Sequence, residues 1–249
     1  TESATELLSM LNDISNRGFI STLRAGDTGV GYTLESLLNI PANSSKAPDY
    51  KGIEIKSGRK RSTKRGRTTI FSQVPNWNLS RVKEKSKGLL YLRGRYNEKK
   101  RRLQLFHELS TLKTNSYDMQ LEIDREKNLL HQVHVDGELI TRDVTWELSV
   151  LEDRLREKHR ETFWVYADSR GKSGDKNEQF HYKAVKHTGS VDISAFRVLI
   201  ESGQITLDYT IKEVEKGVAK DQGYLFKIHS DNLNLLFNRV EEYQLGSGV

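Results

Sequence analysis

The chain is 249 residues long, 35% hydrophobic and 30% charged, with a net charge of +6 at pH 7. Leu, Ile, Val and aromatic residues recur along the whole length, which excludes wholesale disorder. No run approaches the ~18 apolar residues of a membrane helix, and cysteine is absent, which removes disulfide and thiolate chemistry and fits a reducing cytoplasm.

The N-terminal stretch TESATELLSMLNDIS is acidic and amphipathic, unlike a secretory signal. Its Leu7, Leu8, Leu11 and Ile14 repeat at helical spacing and predict a helix over residues 5–15. The glycine turn Gly26-Asp27-Thr28-Gly29-Val30-Gly31 leads into a second predicted helix, 32–38, which Pro41 stops. Asp49-Tyr50-Lys51-Gly52 reads as a turn feeding a strand at 53–56, and another strand is predicted at 67–71. A basic helix is predicted at 86–97, then strands at 103–109, 117–123 and 129–135, with Asp136-Gly137 turning into 138–142. A charged helix at 145–158 and a buried strand at 162–167 come next, then a polar loop at 169–177 and a strand at 179–186. A helix near 191–202, strands at 204–211 and 223–229 and a last helix at 230–243 complete a mixed α/β or α+β body without internal repeats.

Charge is unevenly placed. Between Lys51 and Arg102 stand eighteen Lys and Arg against only Glu54, Glu84 and Glu98, a local net of +15, so the rest of the chain carries −9. A basic block on an otherwise acidic chain is a footprint for a polyanion. Arg59, Lys60, Arg61, Lys64, Arg65 and Arg67 are expected to meet phosphates, with Lys83, Lys85, Lys87, Arg93 and Arg95 continuing the surface.

The block opens on Pro48-Asp49-Tyr50-Lys51-Gly52-Ile53-Glu54-Ile55-Lys56. Strand alternation turns Glu54 and Lys56 to one face and Ile53 and Ile55 to the core, while the Gly52 turn folds Asp49 back beside Glu54. Two such carboxylates repel unless a cation lies between them, and a hard ion with oxygen ligands, Mg²⁺ by preference, is the natural occupant. Lys56 beside it can orient water or offset charge developing on a phosphate, the elements of metal-assisted phosphodiester hydrolysis. The glycine turn is not a dinucleotide fingerprint; it is either an anion contact at a helix N-terminus or simply a tight turn. The histidines lack ligand spacing, so a zinc site has little support, and Trp77, Trp146 and Trp164 read as core or anchoring residues.

Pro48-Asp49…Glu54-Ile55-Lys56 resembles the signature of the PD-(D/E)xK nucleases, and the glycine turn with Glu35 resembles the turn and helix of their MutH-like branch. Within that branch the chain is similar to the MvaI and BcnI group of type II restriction endonucleases. The similar stretches include Thr69-Ile70-Phe71-Ser72-Gln73-Val74-Pro75, Glu178-Gln179-Phe180-His181-Tyr182 and residues 221–228. The resemblance implies a restriction-endonuclease-like core, a central mixed sheet flanked by helices, in one nuclease domain of two lobes. A catalytic lobe is expected at about 1–75 plus 159–170, and a DNA-recognition lobe at about 76–158 and 171–249.

The same resemblance implies Mg²⁺-dependent cleavage of double-stranded DNA at a short, CCNGG-like pseudo-palindrome. The enzyme would be a monomer that nicks the strands in turn, in a prokaryotic cytoplasm beside a cognate DNA methyltransferase. Asp49, Glu54, Lys56 and Glu35 fall at catalytic positions, and Asp49, Glu54 and Ile55 at metal-binding ones. Asp221 and Lys227 fall in a segment where the family commonly holds a guanine-reading arginine, and Ser72 and Gln73 where it approaches a groove. Lysine can donate to guanine O6 or N7 but lacks the rigid fork. A MutH-like nicking or structure-selective nuclease, and a DNA-binding module with merely structural carboxylates, are the competing readings.

Overall fold

A computed structural model describes residues 1–41, 48–60 and 66–246. The elements in chain order are α1 (Glu2–Asn16), β1 (Ile20–Ser21), α2 (Gly29–Leu37), β2 (Glu54–Arg59), β3 (Arg67–Ser72), α3 (Lys85–Arg93), β4 (Arg95–Asn97), β5 (Arg102–Leu109), β6 (Met119–Asp124) and β7 (Leu129–Asp136). They continue with β8 (Leu139–Glu147), α4 (Leu148–Lys158), β9 (Thr162–Arg170), β10 (Gln179–Thr188), α5 (Ile193–Glu201), β11 (Ile205–Glu215), β12 (Val218–His229), α6 (Leu233–Leu236) and β13 (Val240–Gln244). No described helix is long and apolar enough to cross a membrane.

Two compact units form, the first from Thr1–Lys64, Arg156–Val191 and Phe237–Val249, the second from Arg65–Leu155 and Asp192–Leu236. Residues 171–191 and 237–249 join the motif-bearing unit because β10 pairs with β9 and β13 with β10. Residues 66–75 lie in the second unit, where β3 pairs with β12.

In the first unit the sheet order is β1-β10-β9-β2, with β13 also on β10. The β2–β9 pair is parallel and the others are antiparallel, giving a mixed sheet. Helix α1 starts where the Thr1 hydroxyl accepts the Ala4 amide, and it buries Ala4, Leu7, Leu11 and Ile14 along one stripe. These join Val30 and Leu34 of α2, Ile53 and Ile55, and Phe163, Val165, Phe180 and Tyr182 of the sheet in one core.

The second unit holds a five-stranded antiparallel sheet, β3-β12-β11-β5-β4, and a three-stranded one, β6-β7-β8. Its main polar tie is Asp143 on β8, fully buried, which takes Arg81 Nη2 at 2.5 Å, Arg93 Nε at 2.7 Å and Gln132 Nε2 at 3.1 Å. Burial would raise this carboxyl, but the Arg93, Arg81 and Gln132 hydrogen bonds hold it below the ordinary range.

Three expectations about elements are corrected. The helix expected at 86–97 ends at Arg93, because Gly94 is extended and a side chain there would meet Leu90 O at 2.4 Å; residues 95–97 pair as β4. The last helix expected at 230–243 is only a short turn and α6, and residues 240–244 form β13. The strand expected at 223–229 starts earlier, at Val218, and takes in Asp221-Gln222-Gly223, where the register with β11 slips between Tyr209 and Ile211 and Gly223 takes φ +110°.

Candidate active site

Tyr50 and Ile53 exchange backbone hydrogen bonds at 2.9 and 2.7 Å, closing a two-residue loop in which Lys51 (φ +43°) and Gly52 (φ +89°) are both left-handed. This is the geometry of the tight turns that join antiparallel strands. It folds Asp49 back so that its Oδ2 accepts the Ile55 amide at 2.9 Å. Glu54, at the start of β2, is fully buried. Lys56 Nζ lies 2.7 Å from its Oε1 and Lys158 Nζ 2.9 Å from its Oε2. Strand alternation thus places Glu54 and Lys56 together, as the sequence predicts, with Ile53 and Ile55 in the core.

Lys158 is a site residue that sequence reading does not find. It is the last residue of a charged helix remote from the motif, and nothing in its neighbourhood marks it out.

Glu35 comes from the last turns of α2. Its carboxyl is raised by burial, then by the charge of Asp49, with Lys56 opposing and Glu54 adding. Asp49 is raised in the same way, by burial and then by Glu54, against the Ile55 amide and the charges of Lys56 and Lys158. Asp49, Glu54 and Glu35 thus supply hard oxygen donors with an excess of negative charge. Among the described residues no three acids or histidines converge tightly enough to cage an ion by themselves. One or two carboxylates completed by water is the usual manner of Mg²⁺, so the donor set fits that ion. Ile55 has its side chain in the core, which leaves only its main-chain oxygen as a donor.

The raised carboxyls have a measurable consequence. A group whose folded pKa exceeds its unfolded one stabilises the fold while protonated, and that stability is lost as pH rises through the folded value. In EDTA, Asp49→Asn is therefore expected to unfold at a higher temperature than the parent at neutral pH, the gap closing as pH falls to about 4. A gap independent of pH in thermal scans would show that Asp49 bears no excess repulsion.

The basic residues divide. Arg61, Lys64 and Arg65 lie outside the described residues. Lys60 is exposed, as are Lys83 and Lys85. Others expected to meet phosphate are engaged within the protein. Arg59 forks onto Glu178, with Nε–Oε1 at 2.6 Å and Nη2–Oε2 at 2.7 Å. Arg67 pairs with Asp208 at 2.6 Å and Glu108 at 3.1 Å, Lys87 with Glu84, and Arg93 with Asp143, while Arg95 donates to Ser116 O. Each of these cations already has a protein partner, most of them carboxylates.

In the second unit Lys227 points away from buried Phe226 and Ile228, but its Nζ is 2.8 Å from Asp208, which it shares with Arg67. Asp221 accepts the Ser86 hydroxyl at 2.7 Å. Ser72 is exposed, and Gln73 lines a hollow of about 200 Å³ with Asn76, Trp146 and Glu147.

Residues 8–237 match the model of the MvaI/BcnI restriction endonuclease family. The chain belongs to this family. It is thus an enzyme of the type II, site-specific nuclease class. Its fold is similar to that of the restriction endonuclease MvaI–cognate DNA substrate complex, with TM-score 0.81 and 23% identity over 98% of each chain. It is also similar to restriction endonuclease MvaI in the absence of DNA, with TM-score 0.55 and 21% identity over 97% of this chain and 98% of that one. A search of curated proteins gave no match. The turn–strand block around Asp49 and Glu54 lies in the first unit, and Ser72, Gln73, Asp221 and Lys227 lie in the second.

Proposed function

We propose that this MvaI/BcnI-family enzyme hydrolyses phosphodiester bonds of double-stranded DNA at a short pseudo-palindrome of the CCNGG kind, using Mg²⁺. It acts as a monomer that nicks the strands in turn. The reading rests above all on one arrangement: a buried glutamate, Glu54, held between Lys56 and Lys158, with Asp49 folded back beside it and Glu35 within its field.

Asp49 and Glu54, with the Ile55 carbonyl, would hold the ion. When bound, Mg²⁺ supplies polarisation of the scissile phosphate and a hydroxide at neutral pH. The chain's own residues do the rest. Lys56 and Lys158 bring two positive charges to the place where a phosphate gains negative charge, which favours the transition state over the ground state. Glu35 adds a carboxylate of raised pKa that can hold or accept a proton from water. Lys60, Lys83 and Lys85 are proposed backbone contacts, and Ser72, Gln73, Asp221 and Lys227 the side that reads bases. In its host, a prokaryotic cytoplasm, a methyltransferase of the same specificity would protect the genome.

The test is supercoiled plasmid incubated with Mg²⁺ or with EDTA. Open circles that convert to discrete linear fragments only with Mg²⁺ are expected. Open circles that never linearise would replace this reading with a nicking enzyme, and binding without cutting would reduce the chain to a DNA-binding module.

A further inference from the structure

We propose that Arg59 and Glu178 form a positioning pair that fixes the lead-in of α2, and through it Glu35, against the strand that carries Glu54 and Lys56. The inference rests on the nuclease reading above and deepens it.

Arg59 stands three residues beyond Lys56 at the end of β2, in the most basic stretch of the sequence. Its guanidinium is nevertheless turned inward: the side chain is 13% exposed and that of Glu178 1%. The two parallel bonds to Glu178 leave Nη1 to donate to Asp27 O at 2.9 Å and Nη2 to Gly26 O at 3.2 Å. One arginine therefore ties β2 to two loops at once. Glu178 completes the joint by accepting the Gly174 amide at 2.8 Å, and Gly26 donates its own amide to Gly174 O at 2.9 Å. A bidentate guanidinium–carboxylate pair fixes both distance and orientation, which a lysine in its place cannot do.

Gly26 and Asp27 lead directly into α2. The helix's first residue, Gly29, admits no side chain, since a Cβ there would stand 2.4 Å from Arg24 O and 2.8 Å from Thr22 Oγ1. The Leu23 amide is held by the Thr33 hydroxyl at 3.0 Å. The lead-in is thus compact and moves with the helix. Further along, a Cβ on Gly31 would be 3.5 Å from Ser57 Oγ on β2 and 3.8 Å from Glu35 Oε1, so helix, strand and the glutamate are closely spaced. A small slide of the lead-in along β2 shifts Glu35 relative to Asp49, and misplacement of a reacting group by about 1 Å can cost roughly 100-fold in rate. Arg59 touches none of the motif carboxylates, so it acts through α2.

The experiment compares the full chain with Arg59→Ala, Glu178→Gln, Glu35→Gln and the Arg59→Ala/Glu35→Gln double variant. Single-turnover cleavage with Mg²⁺ should fall about 10- to 100-fold in Arg59→Ala and Glu178→Gln. DNA affinity and its salt slope, measured in EDTA, should stay as in the parent. In the Glu35→Gln background Arg59→Ala should cost less than about twofold more, because the group it positions is already disabled. A salt slope reduced by about 0.9 with matching loss of affinity would make Arg59 a phosphate contact and overturn the proposal. Fully additive losses would overturn it as well. If Arg59→Ala does not fold, Glu178→Gln, which keeps the shape of the side chain, decides by the same readings. Hydrogen exchange of the α2 amides needs no cleavage: lost protection there in the variants supports the pair even if the parent proves not to cut, in which case only the nuclease reading falls. Unchanged protection overturns the pair.

Discussion

Replacement of Glu54 by alanine is expected to leave a protein that binds DNA and cuts it at least about 10³-fold more slowly. Glu54 is fully buried and is the only carboxylate that both Lys56 and Lys158 contact among the described residues. Its loss leaves the two ammonium groups facing each other and, on the proposed reading, takes an oxygen donor from the metal. On the proposed reading DNA affinity rests on backbone contacts elsewhere, so it should change little. Single-turnover cleavage at saturating Mg²⁺, beside a salt-matched binding titration, reads the two separately. Glu54→Gln, which keeps the shape of the side chain, guards against a loss that merely reports misfolding. Cleavage within about tenfold of the parent in both variants would remove Glu54 from the chemistry.

Asp143→Ala should have the largest effect on stability, about 3–5 kcal/mol. The carboxylate is buried under Arg93, whose side chain is 14% exposed, with Arg81 and Gln132 completing its bonds. Removing it leaves Arg93 without its counter-charge. A fall of roughly 10 °C in the melting temperature is expected by calorimetry. Changing Arg93 to methionine together with Asp143→Leu should recover most of it, since a well-packed apolar pair avoids the unpaired charge. Because Asp143 is held below the ordinary carboxylate range, its contribution is complete above the unfolded pKa of about 3.9 and disappears only as pH falls through the lower folded value. A loss under about 1 kcal/mol would show that water replaces the carboxylate.

The turn and strand that hold Asp49, Glu54 and Lys56 were legible because every contact among them is local: a left-handed pair at Lys51-Gly52 and a period of two decide it. Lys158 was not, because only the parallel pairing of β2 with β9 brings the end of α4 to Glu54. The same reason explains Arg59, Arg67 and Arg93. Their partners Glu178, Asp208 and Asp143 are distant in sequence, so a count of charges cannot tell an engaged arginine from an exposed one. At the C-terminal end, Leu233 and Leu236 imitate a helix and continue into it briefly. Val240–Gln244 then extends to pair with β10, a preference set by that neighbour and invisible locally.

Strands β2 and β9 are neighbours in the sheet, yet the chain between them runs through most of the second unit. Such a pairing closes a long loop, and its entropy must be met before the contact returns anything, so it forms late in folding. Since Lys158, β9, β10 and β13 all come after that excursion, no nascent fragment ending before residue 158 can bring both lysines to Glu54. On the ribosome, where a chain emerges at about 5–20 residues per second, the pair of cations at Glu54 therefore completes only once most of the protein has been made.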